Sequence, residues 1–101
     1  MIKEYESMII YPGKIDKEEA EAENKKILDF IEKNGGEIID SDDWGVRQLA
    51  YEIQSFKQGY YFINYFKFES RDIHKLERYY KINEKVIRFN LLMKQKGGND
   101  E

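Results

Sequence analysis

The sequence predicts an α+β domain in which two helices cover one face of a four-stranded antiparallel sheet. Apolar residues alternate with polar ones in several short segments, as in strands, and recur at helical spacing in two others. These segments follow one another in the order β-α-β-β-α-β, with turn-forming residues between them. At 101 residues the chain is long enough for one domain with a small core.

The first strand is predicted over residues 2–11, ahead of a Pro-Gly pair that ends it. One of its faces carries Glu4 and Glu6, and the other carries Tyr5 and Ile9. We expect the Tyr5 and Ile9 face to lie in the core, because the opposite choice would bury two carboxylates.

The first helix is predicted to begin after Asp16 as N-cap, with Glu19 reaching back to complete a capping box. It is predicted to end at Asn34, because two glycines follow and one can adopt the positive φ of a helix stop. Its apolar stripe consists of Ala20, Ile27, Leu28 and Ile31.

The second and third strands are predicted to form one long hairpin. The second begins at Glu37, is expected to be interrupted at residues 40–43, and resumes from Trp44 to Ile53, with Gly45 marking a bulge or a close approach of the backbone. The third covers residues 59–68 and is rich in aromatic side chains on both faces. Whichever face points away from the helices therefore presents aromatic surface.

The last two elements are a short helix and a strand. Ser70 is predicted to cap a helix that runs from Arg71 to about Lys81, and the fourth strand is predicted over residues 85–93. Alternation places Arg88 and Asn90 outward in this strand. The inward positions are then Ile87, Phe89, Leu91 and Met93.

This order of elements is the split βαβ, or ferredoxin-like, pattern. Two right-handed crossovers place both helices on one face, so the first and third strands are central and the other face is open. We expect residues 1–94 to form a single domain. Residues 95–101 have little to bury and are expected to be a disordered tail.

The composition excludes several classes of protein. The chain has no cysteine, which excludes disulfides, zinc–thiolate sites and thiol nucleophiles. No apolar run approaches the roughly 20 residues of a membrane span, and the charged N-terminal residues are unlike a signal peptide. The net charge is −3, so any contact with nucleic acid must use a local patch or be shared with a more basic partner.

The residues give little support to an enzyme. His74 is the only histidine and lies in a charged helical segment, where a surface role is expected. The carboxylates of Asp40, Asp42 and Asp43 do not have the spacing of a calcium loop, and a turn explains them better. An acylphosphatase-like enzyme on the same fold would need an arginine and an asparagine that converge on an anion pocket. We therefore expect no catalytic site, metal, cofactor or small-molecule substrate.

One interpretation of the aromatic strand is RNA recognition. Residues 58–65, Gln-Gly-Tyr-Tyr-Phe-Ile-Asn-Tyr, resemble the RNP1 octamer of RNA-recognition motifs, although Gln58 lacks the positive charge. In a free-standing domain of that kind, Tyr60 and Phe62 would stack bases on the open face. The strand parity decides this, because the alternative places Phe62 and Phe66 against the helices.

The segment Trp44–Tyr51 resembles the W-G-x-R-x-L-A-Y signature of the bacterial small-subunit ribosomal protein S6 family. Further landmarks agree in order, and the resemblance covers roughly residues 3–94. It implies the same ferredoxin-like fold and a structural protein of the cytoplasmic ribosome. It also implies binding to the central domain of small-subunit ribosomal RNA as a heterodimer with ribosomal protein S18.

The resemblance and the strand positions nominate two sets of contact residues. The expected RNA-binding residues are Arg47, Arg88, Lys3, Lys94 and Lys96. The expected partner-binding residues are Trp44, Gln48, Tyr51, Tyr61 and Tyr65. The competing interpretation of each arginine is an ordinary surface salt bridge, and a core position is the competing interpretation of Trp44 and Tyr51.

Overall fold

The computed structural model describes residues 1–94. The predicted tail, including Lys96, lies outside the described residues. The elements are β1 (Ile2–Pro12), α1 (Lys17–Lys33), β2 (Glu37–Ile53), β3 (Phe56–Glu69), a 3-10 turn (Ser70–Asp72), α2 (Ile73–Ile82) and β4 (Arg88–Met93). The predicted order of strands and helices is confirmed.

The strands form one antiparallel sheet in the order β2-β3-β1-β4. The central strands pair along their full length, from Ile2 opposite Glu69 to Pro12 opposite Gly59. The edge strands are β2 and β4, as the split βαβ pattern predicts. This arrangement fixes which side chains of neighbouring strands share a face.

The main core lies between the sheet and the two helices. Tyr5, Ile9, Phe62 and Phe66 are buried in one cluster with apolar residues of both helices. The predicted parity of β1 is therefore confirmed, and so is the alternative in which Phe62 and Phe66 face the helices. Burying these rings removes large apolar area from water and is the main stabilising contribution of the face.

Strand β2 differs from the prediction at its acidic segment. The expected interruption at residues 40–43 is wrong, because β2 is continuous from Glu37 to Ile53. The register instead shifts between Ile38 and Asp40 and between Asp43 and Gly45. Gly45 has a φ of 72° at the second shift and nothing packed against it, so of the two predicted alternatives the bulge is correct and the close backbone approach is not. An edge strand can hold these carboxylates because its side chains reach solvent.

Both predicted helix caps are wrong in detail. Asp16 occupies the N-cap position of α1, but its side chain makes no capping hydrogen bond. Ser70 does not cap α2; the carboxylate of Glu69 accepts the backbone N–H of Arg71 and starts a 3-10 turn instead. At the other end of α1 the prediction is confirmed, because Gly35 has a φ of 87°.

The fourth strand is shorter than predicted, because pairing with β1 begins at Arg88. Ile87 is not part of the helix-side core. Its backbone N–H donates a hydrogen bond to the carbonyl of Ile10, and its side chain packs in a second cluster with Ile10 and Leu49. Met93 lies opposite Tyr5 on the helix side, as alternation predicts, but it is 45% exposed at the end of the strand. The alternation of apolar residues in this strand assumes a core on one face of the sheet only, so it could not predict the second, small core on the face opposite the helices.

Candidate nucleic-acid interface

The face of the sheet opposite the helices is the candidate interface. Near the β2–β3 hairpin it has the second cluster as its floor, where Ile10, Leu49 and Ile87 are buried. Around that floor stand exposed large side chains, including Trp44 and Tyr51, which are 46% and 64% exposed. Their core interpretation is therefore excluded. We call this part of the face the arginine end, because Arg47 and Arg88 lie on it.

Arg47 and Trp44 form a stack with Tyr61. The Trp44 and Tyr61 rings lie 6.4 Å apart between centroids and are nearly parallel. The Arg47 guanidinium lies 5.3 Å from the Trp44 ring centroid, and its Nε donates a 3.3 Å hydrogen bond to the Trp44 carbonyl. The bulge at Gly45 brings residues 44 and 47 together on β2. The stack leaves the guanidinium exposed but restricts its orientation.

Arg88 is held in a similar way by a different strand. Its Nη1 donates a 2.9 Å hydrogen bond to the hydroxyl of Tyr51, and its guanidinium lies 5.8 Å from that ring. Within residues 1–94, neither Arg88 nor Arg47 has a carboxylate at salt-bridge distance. The competing interpretation of both arginines as surface salt bridges therefore does not hold.

The two described lysines of the predicted RNA-binding set lie at the other end of β1. Lys94 is exposed, and its Nζ is 4.0 Å from the Glu4 carboxylate. Lys3 is half-buried and lies opposite Phe68, on the helix side of the sheet. The structure therefore brings Arg47 and Arg88 to one end of the open face and separates them from Lys3 and Lys94.

Carboxylates gather around Tyr65 at this second end of the open face, which we call the acidic end. They belong to Glu4, Glu6, Asp40 and Asp42, which come from β1 and β2. Burial of the hydroxyl, followed by the charges of Glu6 and Asp42, raises the pKa of Tyr65. Sequence reasoning missed this cluster, because its members meet only through the pairing of both strands with β3.

The aromatic residues proposed for base stacking are not on the open face. Tyr60 and Phe62 are only 5% and 3% exposed and stack on each other inside the helix-side core. Gln48 is exposed near the end of β2, but it lies opposite Gln58 on the same side of the sheet as Tyr60 and so is not on the open face either. In the part of the chain that the structure describes, no cluster of three His, Cys, Asp or Glu side chains could hold a metal ion. No described helix is long and apolar enough to cross a membrane.

Comparison with known proteins supports one family. The profile of the family described as Ribosomal protein S6 matches residues 4–93. A small ribosomal subunit protein bS6 from Nitratiruptor is 43% identical over 87% of this chain and 69% of its own length. The Helicobacter hepaticus protein of the same name is 47% identical over 87% of this chain and 64% of its own length.

Two further comparisons cover nearly the whole of the matched protein. The small ribosomal subunit protein bS6 of Heliobacterium modesticaldum is 33% identical over 92% of this chain and 97% of its own length. The crystal structure of 30S ribosomal protein S6 from Thermotoga maritima superposes with a TM-score of 0.87 at 29% identity, covering 93% of this chain and 89% of that one. On its sequence and its fold, the chain belongs to the ribosomal protein S6 family of the small ribosomal subunit.

Proposed function

We propose that this chain is a structural constituent of the cytoplasmic small ribosomal subunit, where it binds small-subunit ribosomal RNA together with ribosomal protein S18. The observation that carries this proposal is the division of the open face into an arginine end and an acidic end. The first suits phosphate, and the second suits a basic protein. The role is one of scaffolding, without catalysis.

Arg47 and Arg88 are the principal RNA contacts in this proposal. A guanidinium can fork onto phosphate oxygens, and each of these is oriented by an aromatic ring on rigid strands. Because neither is paired with a carboxylate in residues 1–94, no ion pair has to be broken on binding. Lys3 and Lys94 add longer-range attraction from the far end of β1.

The acidic end explains why a protein partner is needed. The chain carries a net charge of −3, and four carboxylates surround Tyr65 on the open face. A basic protein would neutralise them and then supply phosphate contacts that this chain lacks. In this arrangement Tyr65 contacts the partner at the acidic end, and Tyr61, Trp44 and Tyr51 extend that contact along the open face toward the arginine end. Gln48 lies opposite Gln58 on the other side of β2 and is left out of this contact.

A free-standing RNA-recognition domain is the less favoured alternative. It requires Tyr60 and Phe62 on the open face, whereas both are buried against the helices. Stacking bases on these rings would require opening the core. The free energy that this costs is far larger than the roughly 1–3 kcal/mol that a stacked base contributes. Tyr61 and Tyr65 are the aromatic side chains that the open face does offer from β3.

The test is a gel-shift titration of the chain with S18 and an RNA fragment of the central domain. The double variant Arg47→Glu, Arg88→Glu should weaken the ternary complex by roughly 100-fold, because two phosphate contacts become repulsive. The control is Arg78→Glu, Lys81→Glu on the exposed side of α2, which makes the same charge change away from the open face. It should bind like the unmodified chain.

Two outcomes would contradict the proposal. One is unchanged affinity of the double variant, with the free energy of unfolding also unchanged. The other is tight, salt-insensitive RNA binding by the chain without S18, because a chain of net charge −3 should bind RNA poorly alone.

A further inference from the structure

A groove lies where the turn between β1 and α1 meets the β2–β3 hairpin. Its volume is about 680 Å³. The lining includes Lys14, Gln48, Gln54, Phe56, Lys57 and Gln58. None of the described residues that line it is acidic, although 20 of the 101 residues in the chain are Asp or Glu. The groove is therefore a positive site on an acidic protein.

A close backbone contact holds the two sides of the groove together. The N–H of Gly13 donates a 3.0 Å hydrogen bond to the carbonyl of Gln58. A Cβ at position 13 would lie 2.6 Å from the Gln58 Cβ, so only glycine allows this approach. The contact fixes the turn against β3 and keeps Lys14 beside Phe56, with its Nζ 5.9 Å from the ring centroid.

The side chains in the groove offer three kinds of contact. Lys14 and Lys57 have no carboxylate at salt-bridge distance within residues 1–94, so their ammonium groups are available to phosphate. The exposed amides of Gln48 and Gln58 can both donate to and accept from base edges, whereas the Gln54 amide already donates a 3.4 Å hydrogen bond to the Ile87 carbonyl. Phe56 is half-buried and adds apolar surface. Single-stranded RNA presents phosphates, unpaired base edges and ring faces together, which match these three kinds of contact.

The groove adjoins the arginine end of the open face. Arg47 lies opposite Gly59 in the sheet, and Gly59 follows the groove residue Gln58. Arg88 lies opposite Ile10 near the same end of β1. A nucleic-acid strand that leaves the arginines can therefore continue into the groove without crossing the acidic end.

We propose that this groove binds a single-stranded segment of RNA, with Lys14 and Lys57 on its phosphates and the glutamine amides on its bases. This inference rests on the proposed ribosomal function and extends its RNA-binding surface beyond the sheet. The groove gives the chain a second RNA contact that neither arginine reaches.

The first test measures the salt dependence of the ternary complex. The variant Lys14→Gln, Lys57→Gln should weaken binding roughly 10- to 30-fold at 0.1 M salt and reduce the salt slope by about 1.4, the value for two phosphates of a single strand. The control Lys33→Gln, Lys81→Gln removes the same charge from the helices. Equal slopes for the two variants would overturn the inference.

The second test locates the bound segment. Because the chain has no cysteine, Lys57→Cys can carry a single tethered iron–EDTA probe, with Lys33→Cys as the matched control. Cleavage of an unpaired RNA segment from position 57 but not from position 33 is expected. Absence of RNA cleavage at position 57, or cleavage confined to the protein partner, would overturn the inference.

The same experiments separate the two proposals. If the unmodified chain forms no complex with S18 and RNA, the ribosomal proposal fails, and the inference about the groove fails with it because it rests on that proposal. If the complex forms and its affinity depends on Arg47 and Arg88 but not on the charges of Lys14 and Lys57, only the proposed RNA binding in the groove is excluded.

Discussion

Asn64, in the middle of β3, donates a 2.8 Å hydrogen bond to the side-chain oxygen of Asn24 on α1. The amide of Asn24 returns a longer bond of 3.4 Å, and the hydroxyl of Ser41 on β2 also donates to Asn64. Asn64 is fully buried, and Asn24 is 5% exposed. A polar network therefore ties the helix to two strands beside an apolar core.

Replacing Asn64 by alanine should lower the free energy of unfolding by about 2–4 kcal/mol, because Asn24 and Ser41 lose their shared partner. Urea titration followed by circular dichroism measures the change. Asn90→Ala on the exposed side of β4 is the control and should stay within about 0.5 kcal/mol. Equal effects of the two variants would show that the network does not stabilise the fold.

Gly59→Ala should lower the free energy of unfolding by about 1–3 kcal/mol, through overpacking. A Cβ at this position would collide with Ile10 Cγ2 and lie 3.3 Å from Leu49 Cδ2, both in the second cluster. In an Ile10→Ala background the same change should cost less, because the colliding methyl is gone. Thermal unfolding of all four chains measures this coupling, and strictly additive effects would contradict the proposed collision.

Ser55→Gly should stabilise the chain by about 0.5–1 kcal/mol, since glycine adopts positive φ without steric cost. Ser55 has a φ of 71°, and Gln54 before it has 51°, as in a two-residue hairpin turn. Lys57→Gly, in β3, should instead destabilise. Thermal unfolding of both variants and of the unmodified chain measures the effect as a change in the midpoint temperature. A midpoint for Ser55→Gly below that of the unmodified chain would contradict the prediction.

Stability should fall between about pH 10 and pH 12 because of Tyr60. Burial, followed by the hydrogen bond to Asp43, raises the pKa of Tyr60 to about 12, whereas an unfolded tyrosine ionises near pH 10. The folded state therefore keeps the proton longer than the unfolded one. This contribution is complete below pH 10 and disappears as the pH rises through 12.

Tyr60→Phe removes this group and its 2.9 Å bond to Asp43. The variant should be less stable than the original chain at pH 9, and the difference should shrink by pH 11.5. Urea titrations of both chains at the two pH values measure it. A difference that stays constant would show that Tyr60 does not titrate in this range.

Much of the fold could be predicted from local residues. Pro12 ends β1, Gly35 ends α1, and the contrast between Glu4 and Tyr5 sets the parity of β1. These features depend on backbone preferences or on the cost of burying charge, which neighbours along the chain already express. The signature at Trp44–Tyr51 is likewise a run of adjacent residues, and it indicates the family without reference to any distant part of the chain.

The errors arose where a partner that the local pattern does not show decides the structure. The carboxylates of residues 40–43 favoured a turn, yet pairing with β3 keeps them in a strand. Ser70 has the side chain of a cap, but the carboxylate of Glu69 takes that role. In each case a tertiary or neighbouring partner outweighed an intrinsic preference of modest size.

By itself the sequence determined the order of elements, the helix-side face of β1 and the family, because periodicity and turn residues act locally. Only the tertiary structure decided how the open face is divided. The register of β2 and β1 against β3 gathers carboxylates around Tyr65 at one end, and the bulge at Gly45 sets Arg47 on Trp44 at the other. Charged residues form a surface patch of one sign only when strands that are far apart in the chain are paired side by side.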